Sequence, residues 1–304
     1  MSTAYAYART RARRSTLLRP EQLDAFRAAS GRAAAVAALR SSGIDARDAA
    51  AASRACLLRF VADAERLVAS WPHPDLLVAV VGLIEIENLK LGCRAVRTGA
   101  AAESWTPLWR PLGKVSRLRI EAFADPPSLR AALEALAPLP WGAAASRALR
   151  AHEDDAAAFE IALDTFASRR LLEAEAAAGA RRLAASLVRI RDVDAVSRAA
   201  ARGRTAEGAA TAAALLRKEL HPEALRALAG GELTDAARAF FRSPARTVAA
   251  LLEELRARLR SDCLRTFAGS PFQPACAVAL LLLRIEEMQA VTSIAESQLD
   301  REAA

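Results

Sequence analysis

The stretch GLIEIENLKLGCRAVRTG, residues 82–99, returns in weakened form as SLVRIRDVDAVSRAAARG and again as LLRIEEMQAVTSIAES. In the first copy Ile86, Leu89, Cys93 and Val96 are spaced i, i+3, i+7 and i+10, which aligns them along one stripe of a helix. Ile190, Val193, Ser197 and Ala200 keep that phase in the second copy, and Ile285, Met288, Thr292 and Ala295 keep it in the third. The copies recur at intervals of roughly one hundred residues, too long for the 20 to 50 residue unit of a solenoid and suited to a duplicated domain. The expected division is residues 1–103, 104–207 and 208–304. Ala-rich helices can resemble one another without duplication, so the phase alone leaves that alternative open.

A helical chain is the expectation because Ala, Arg and Leu dominate, all good helix formers, while the β-branched and aromatic residues suited to strands are scarce. Pro and Gly punctuate the helices at SSGID, SWPHPD, APLPWG, AGGELT and AGSPFQP. Helices are expected over residues 5–18, 21–38, 46–69 and 75–99, a four-helix unit. A connector rich in Pro and Gly follows, helix resumes near Ser116 and again after Pro127, and further helices span 152–175 and 179–201. The last unit begins near Thr205, includes HPEALRAL, and continues through 235–241, 245–267 and 275–299.

The 304 residues include 43 Lys and Arg against 35 Asp and Glu, a formal net charge of +8 with both signs interspersed. Such a balance suits nucleic acid, an anionic membrane surface or an acidic protein partner without choosing among them. The N-terminal Arg9, Arg11, Arg13 and Arg14 sharpen the ambiguity, since guanidinium groups can meet phosphate while their stems cover apolar helix surface. No secretory signal is read at the N-terminus, and the longest apolar runs, 76–84 and 275–283, are well short of the roughly 20 residues that cross a bilayer. Cys56, Cys93, Cys263 and Cys276 are widely spaced in apolar helical settings and read as buried small hydrophobes in a reducing compartment.

No residues form a catalytic, cofactor-binding or metal-binding set. His73 and His221 each precede Pro, and in HEDD the acids Glu153, Asp154 and Asp155 favour a helix N-terminus. GRTAEG and AGGELT lack the Lys-[Ser/Thr] ending of a phosphate loop. In the first copy, Glu87, Lys90, Arg94 and Arg97 lie away from the apolar stripe, on either a solvated face or a contact face for an acidic partner. Asn88 flanks the stripe with Gly92 one turn later, a pair suited to a close helix joint in which the amide satisfies a neighbouring backbone group. Trp71, Trp105, Trp109 and Trp141 read as packing anchors near the connections.

YAYARTRARRSTLL, EIENLKLGCRAVRTG, VRIRDVDAVSRAAARG and RIEEMQAVTSI together resemble the C subunit of archaeal and bacterial V-type rotary ATPases, called subunit d in eukaryotic complexes. The resemblance implies an all-α fold of three similar helical domains in a funnel-like pseudo-threefold arrangement. It also implies a non-catalytic rotor adaptor without cofactor, joining the central stalk to the membrane proteolipid ring and transmitting torque for proton or sodium-ion translocation. The implied partners are the proteolipid rotor ring, central-stalk subunits D and F, and the membrane stator subunit, with one copy of the chain per complex on the cytoplasmic face of the membrane. No nucleic acid is then expected, although an Arg-rich helical nucleic-acid-binding protein is the competing reading. The family's acidic-x-x-Asn-Leu-Lys pattern falls on Glu85, Asn88, Leu89 and Lys90, and its following Arg on Arg94. The second copy has Arg189 and Asp192 in place of the acid and the Asn and keeps Arg198, while the third supplies Glu287, Gln289 and Ser293. Glu85, Asn88, Lys90, Gly92, Arg94, Arg97, Arg198 and Glu287 are therefore the candidate structural joint or partner contacts.

Overall fold

The computed structural model describes residues 3–71, 73–201, 233, 235–269 and 273–299, and no strand occurs among them. Local chemistry sets many helix ends. Asp48 caps α4 (Ala49–Ser70) by accepting from the Ala51 backbone N–H at 2.7 Å. Ser128 caps α7 (Leu129–Ala135) at 3.1 Å, and Asp155 caps α9 (Ala156–Glu173) by accepting from Ala157 and Ala158 at 3.0 and 2.9 Å. Each cap satisfies amide donors that the first helical turn cannot pair internally. α5 covers Asp75–Thr98, and α10 covers Ala178–Ala201.

Several boundaries differ from those expected. The run 21–38 is two helices, α2 (Pro20–Arg27) and α3 (Arg32–Ser41), because Gly31 between them adopts φ 98°, which a helix cannot accommodate. Beyond Ser116 only a 3-10 turn, Ile120–Phe123, forms before Ser128 starts α7. α8 (Pro140–Ala151) begins inside the expected breaker, with Pro140 in the first helical turn where a missing N–H costs nothing. His152 ends α8 rather than beginning the next helix. The HPEALRAL and AGGEL stretches lie outside the described residues, apart from Leu233.

Two compact units are present. The first comprises Met1–Val81, Arg110–Val115 and Cys263–Ala304. It holds α1 (Thr3–Arg14) to α4 and α13 (Ala275–Gln298), which packs most extensively on α4 and also meets α1, α2 and α3. Ala275 to Leu283 are all buried, so this part of α13 is apolar on every side, as a helix enclosed by others must be. The second unit comprises Gly82–Trp109 and Ser116–Asp262. Here α9 packs on α8 and α10, and Ile190 and Val193 of α10 share a core with Phe241 of α11 (Asp235–Phe241) and with Val248, Leu251 and Leu255 of α12 (Val248–Ala268).

Candidate functional site

In the second unit, α5 presents its charged residues to α8, α9 and α10. The Trp141 indole N–H donates to Glu85 Oε2 at 2.7 Å. Lys90 Nζ, fully buried, donates to Glu87 Oε1 at 2.8 Å and to Asp164 Oδ1 at 2.9 Å. Arg191 from α10 shares Asp164 at 2.8 Å. One turn on, Arg94 grips Glu160 with both edges of its fork, Nε to Oε1 at 2.5 Å and Nη2 to Oε2 at 2.7 Å. Rising numbers on α5 meet falling numbers on α9, so these two helices run antiparallel along a seam of ion pairs.

Lys90 therefore does not lie on a solvated face, as the phase of the apolar stripe suggested. Asp164, 3% exposed, and the neighbouring Glu87 compensate its charge, which would otherwise be prohibitively costly to bury. Arg94 is half-exposed, and its hydrogen bond to Glu160 raises its pKa against the lowering effect of burial. Arg97 places its guanidinium 4.8 Å from the centre of the Phe159 ring. Asn88 is buried. Gly92 lies beneath Phe123, and a β-carbon there would come within 2.5 Å of the ring.

In the first unit, the equivalent stretch of α13 carries a second buried network. Asp63 of α4 accepts from Arg13 Nε at 2.6 Å and from Arg284 Nε at 2.9 Å. Arg284, 1% exposed, also donates to the Thr16 carbonyl at 3.1 Å, to Thr16 Oγ1 at 2.5 Å and to both oxygens of Glu287 at 3.1 and 2.9 Å. Glu287 further accepts from the Leu18 backbone N–H at 3.3 Å and from Arg59 at 3.4 Å. Three arginines and two carboxylates thus tie α1, the turn after it, α4 and α13 together.

Six of the eight candidates, Glu85, Asn88, Lys90, Gly92, Arg94 and Arg97, lie on α5, and Glu287 lies on α13 of the other unit. Arg198 is on α10, but its side chain is outside the described residues. Arg189, where the first copy has Glu85, sits 5.1 Å from the Phe241 ring centre, and burial lowers its pKa, helped by Arg258 and Arg242. Asp63, Glu160, Asp164, Arg191 and Arg284 were not anticipated. The available signal was a lone charge on an apolar face, as with Asp63 three residues after Phe60, or Arg284 directly after the Leu280–Leu283 run. His152, Glu153 and Asp154 occupy the turn between α8 and α9, with Glu153 and Asp154 exposed. Among the described residues, no group of three or more His, Cys, Asp or Glu is placed to hold a metal ion, and no helix is long and apolar enough to cross a membrane.

These arrangements define an all-helical protein whose long helices are fastened by internal ion pairs, with the charged groups of α5 committed largely to partners on α8, α9 and α10. The chain belongs to the ATP synthase (C/AC39) subunit family, whose profile matches residues 6–302. That family is an accessory, not the catalytic, subunit of V/A-type ATPases. A comparison with individual curated proteins found no match.

Proposed function

We propose that the chain is a rotor adaptor, linking the central stalk of a V/A-type ATPase to its membrane proteolipid ring and transmitting torque for ion translocation. The observation that carries this reading, beside family membership, is the pair of buried ion-pair networks that cross-brace long helices. An adaptor under torque has to resist shear between helices, and desolvated charge pairs with fixed geometry oppose sliding because any displacement leaves a charge unpaired.

Three repeat units, residues 1–103, 104–207 and 208–304, in a funnel-like pseudo-threefold arrangement, belong to the same proposal. The order of fastening supports it. α5, at the end of the first repeat, is paired with α9 of the second; α10 of the second shares a core with α12 of the third; and α13 of the third packs on α4 of the first. On this reading Glu85, Asn88, Lys90, Gly92, Arg94 and Arg97 act as a structural joint between repeats, and Glu287 performs that task on α13. The internal carboxylate already held by Arg94 favours the joint over an acidic partner at this position.

The adaptor works peripherally on the cytoplasmic face, one copy per complex, against the proteolipid ring, stalk subunits D and F and the membrane stator subunit. Affinity purification of the native complex through a tagged copy of this chain, followed by mass spectrometry, tests the assignment. Recovery of the ring proteolipid with stalk subunits supports it. Recovery of the chain alone, or with nucleic acid in a salt-sensitive complex, rejects it.

A further inference from the structure

A polar hollow of about 720 Å³ opens in the first unit, between the end of α1, the turn leading to α2 and the end of α3. Arg13, Arg19, Arg59 and Arg284 line it, and no acidic side chain does. Behind this wall lie Asp63 and Glu287, which pair with Arg13, Arg59 and Arg284 but compensate only two of the four positive charges. Two charges are left facing the hollow.

The free hydrogen-bonding capacity is on the open side. Arg284 is enclosed, and each of its three nitrogens already donates within the protein. Arg13 is 31% exposed along its side chain and uses only Nε for Asp63, so its two Nη groups remain available. Arg19 is exposed and forms no ion pair among the described residues. The Ser15 and Ser42 hydroxyls already donate to the Ala12 and Ala38 carbonyls, so recognition of an anion falls to the arginines.

We propose that this hollow binds a phosphate monoester. Such a group carries about 1.5 to 2 negative charges at pH 7, which matches the two uncompensated positive charges, and its oxygens suit the guanidinium fork. Carboxylates buried behind the wall hold the back arginines in place, so the site is organised before the anion arrives. The ligand is either a lipid headgroup or a soluble phosphate ester, and the chemistry of recognition is the same for both. The inference concerns this hollow alone and does not depend on the adaptor role.

The test uses the full chain, with glycerol 3-phosphate titrated by calorimetry and, separately, phosphatidylcholine vesicles with and without phosphatidic acid in a flotation assay. Saturable binding to glycerol 3-phosphate identifies a soluble ester, and binding only to vesicles containing phosphatidic acid identifies a headgroup. In either case Arg19→Gln should weaken binding roughly tenfold, since one charge-assisted contact is lost, and Arg19→Glu should abolish it. Arg54→Gln removes an equal charge from an exposed position on α4 outside the hollow and should change nothing. Thermal unfolding should be unaltered in all three variants. Absence of saturable binding to both probes, or equal weakening by Arg19→Gln and Arg54→Gln, overturns the proposal.

Discussion

Asp63 has the most to lose at the scale of single residues. It is 1% exposed and accepts from two arginines, so its removal leaves Arg13 without its carboxylate and the buried Arg284 with Glu287 as its one remaining counter-charge. Asp63→Ala should therefore lower unfolding stability by about 3–5 kcal/mol. Asp24→Ala, which breaks an exposed i,i+3 pair with Arg27, should cost about 0.5 kcal/mol or less. Urea unfolding of the two variants separates them, and equal losses would refute the distinction between buried and surface pairs. Gly92→Ala poses opposing effects. The substitution gains about 1 kcal/mol of helix propensity but overpacks the Phe123 ring, at a cost of about 1–3 kcal/mol, so net destabilisation is expected. Adding Phe123→Ala should make the combined loss smaller than the sum of the two. Strict additivity would mean that the ring is not what Gly92 accommodates.

At the scale of helices, the thiols of α4 and α5 report how tightly these elements are enclosed. Burial pushes both Cys56 and Cys93 from 9.0 up to about 12, against partial opposition from nearby arginines. Native protein at pH 8 should resist alkylation at both sites and react fully once unfolded; rapid native labelling would contradict the packing of either helix. Because the folded state raises these pKa values, it holds protons that the unfolded state releases first. Their contribution to stability is complete below about pH 9 and is lost as pH rises towards 12.

Much at this scale was legible from sequence. The helical class followed from composition, Asp155 caps α9 as an acid favouring a helix N-terminus, and α7 starts after Pro127 as expected, whereas Asp48 caps α4 from inside the helix expected over residues 46–69. What periodicity could not supply was the far side of α5. A stripe of apolar residues identifies the face that must be buried, but whether the opposite face meets water depends on another helix. Here Glu160, Asp164 and Arg191, well over sixty residues away in sequence, cover it. Gly92 was readable as a close approach, while its neighbour Phe123 was not, because a 3-10 turn beyond a Pro-rich connector carries no periodic signal.

For the whole molecule, the proposal is an adaptor that holds its shape under load, a reading supported by the internal ion-pair networks and the family assignment. Coupling in membranes that contain the complete rotary ATPase tests that account most directly. Membranes stripped of this chain should hydrolyse ATP without pumping ions, and adding the purified chain back should restore pumping, whereas the destabilised Asp63→Ala variant should restore it less at a temperature where it begins to unfold. Ion pumping that persists at full rate without the chain, with its absence verified by mass spectrometry, would contradict the role of torque-transmitting adaptor.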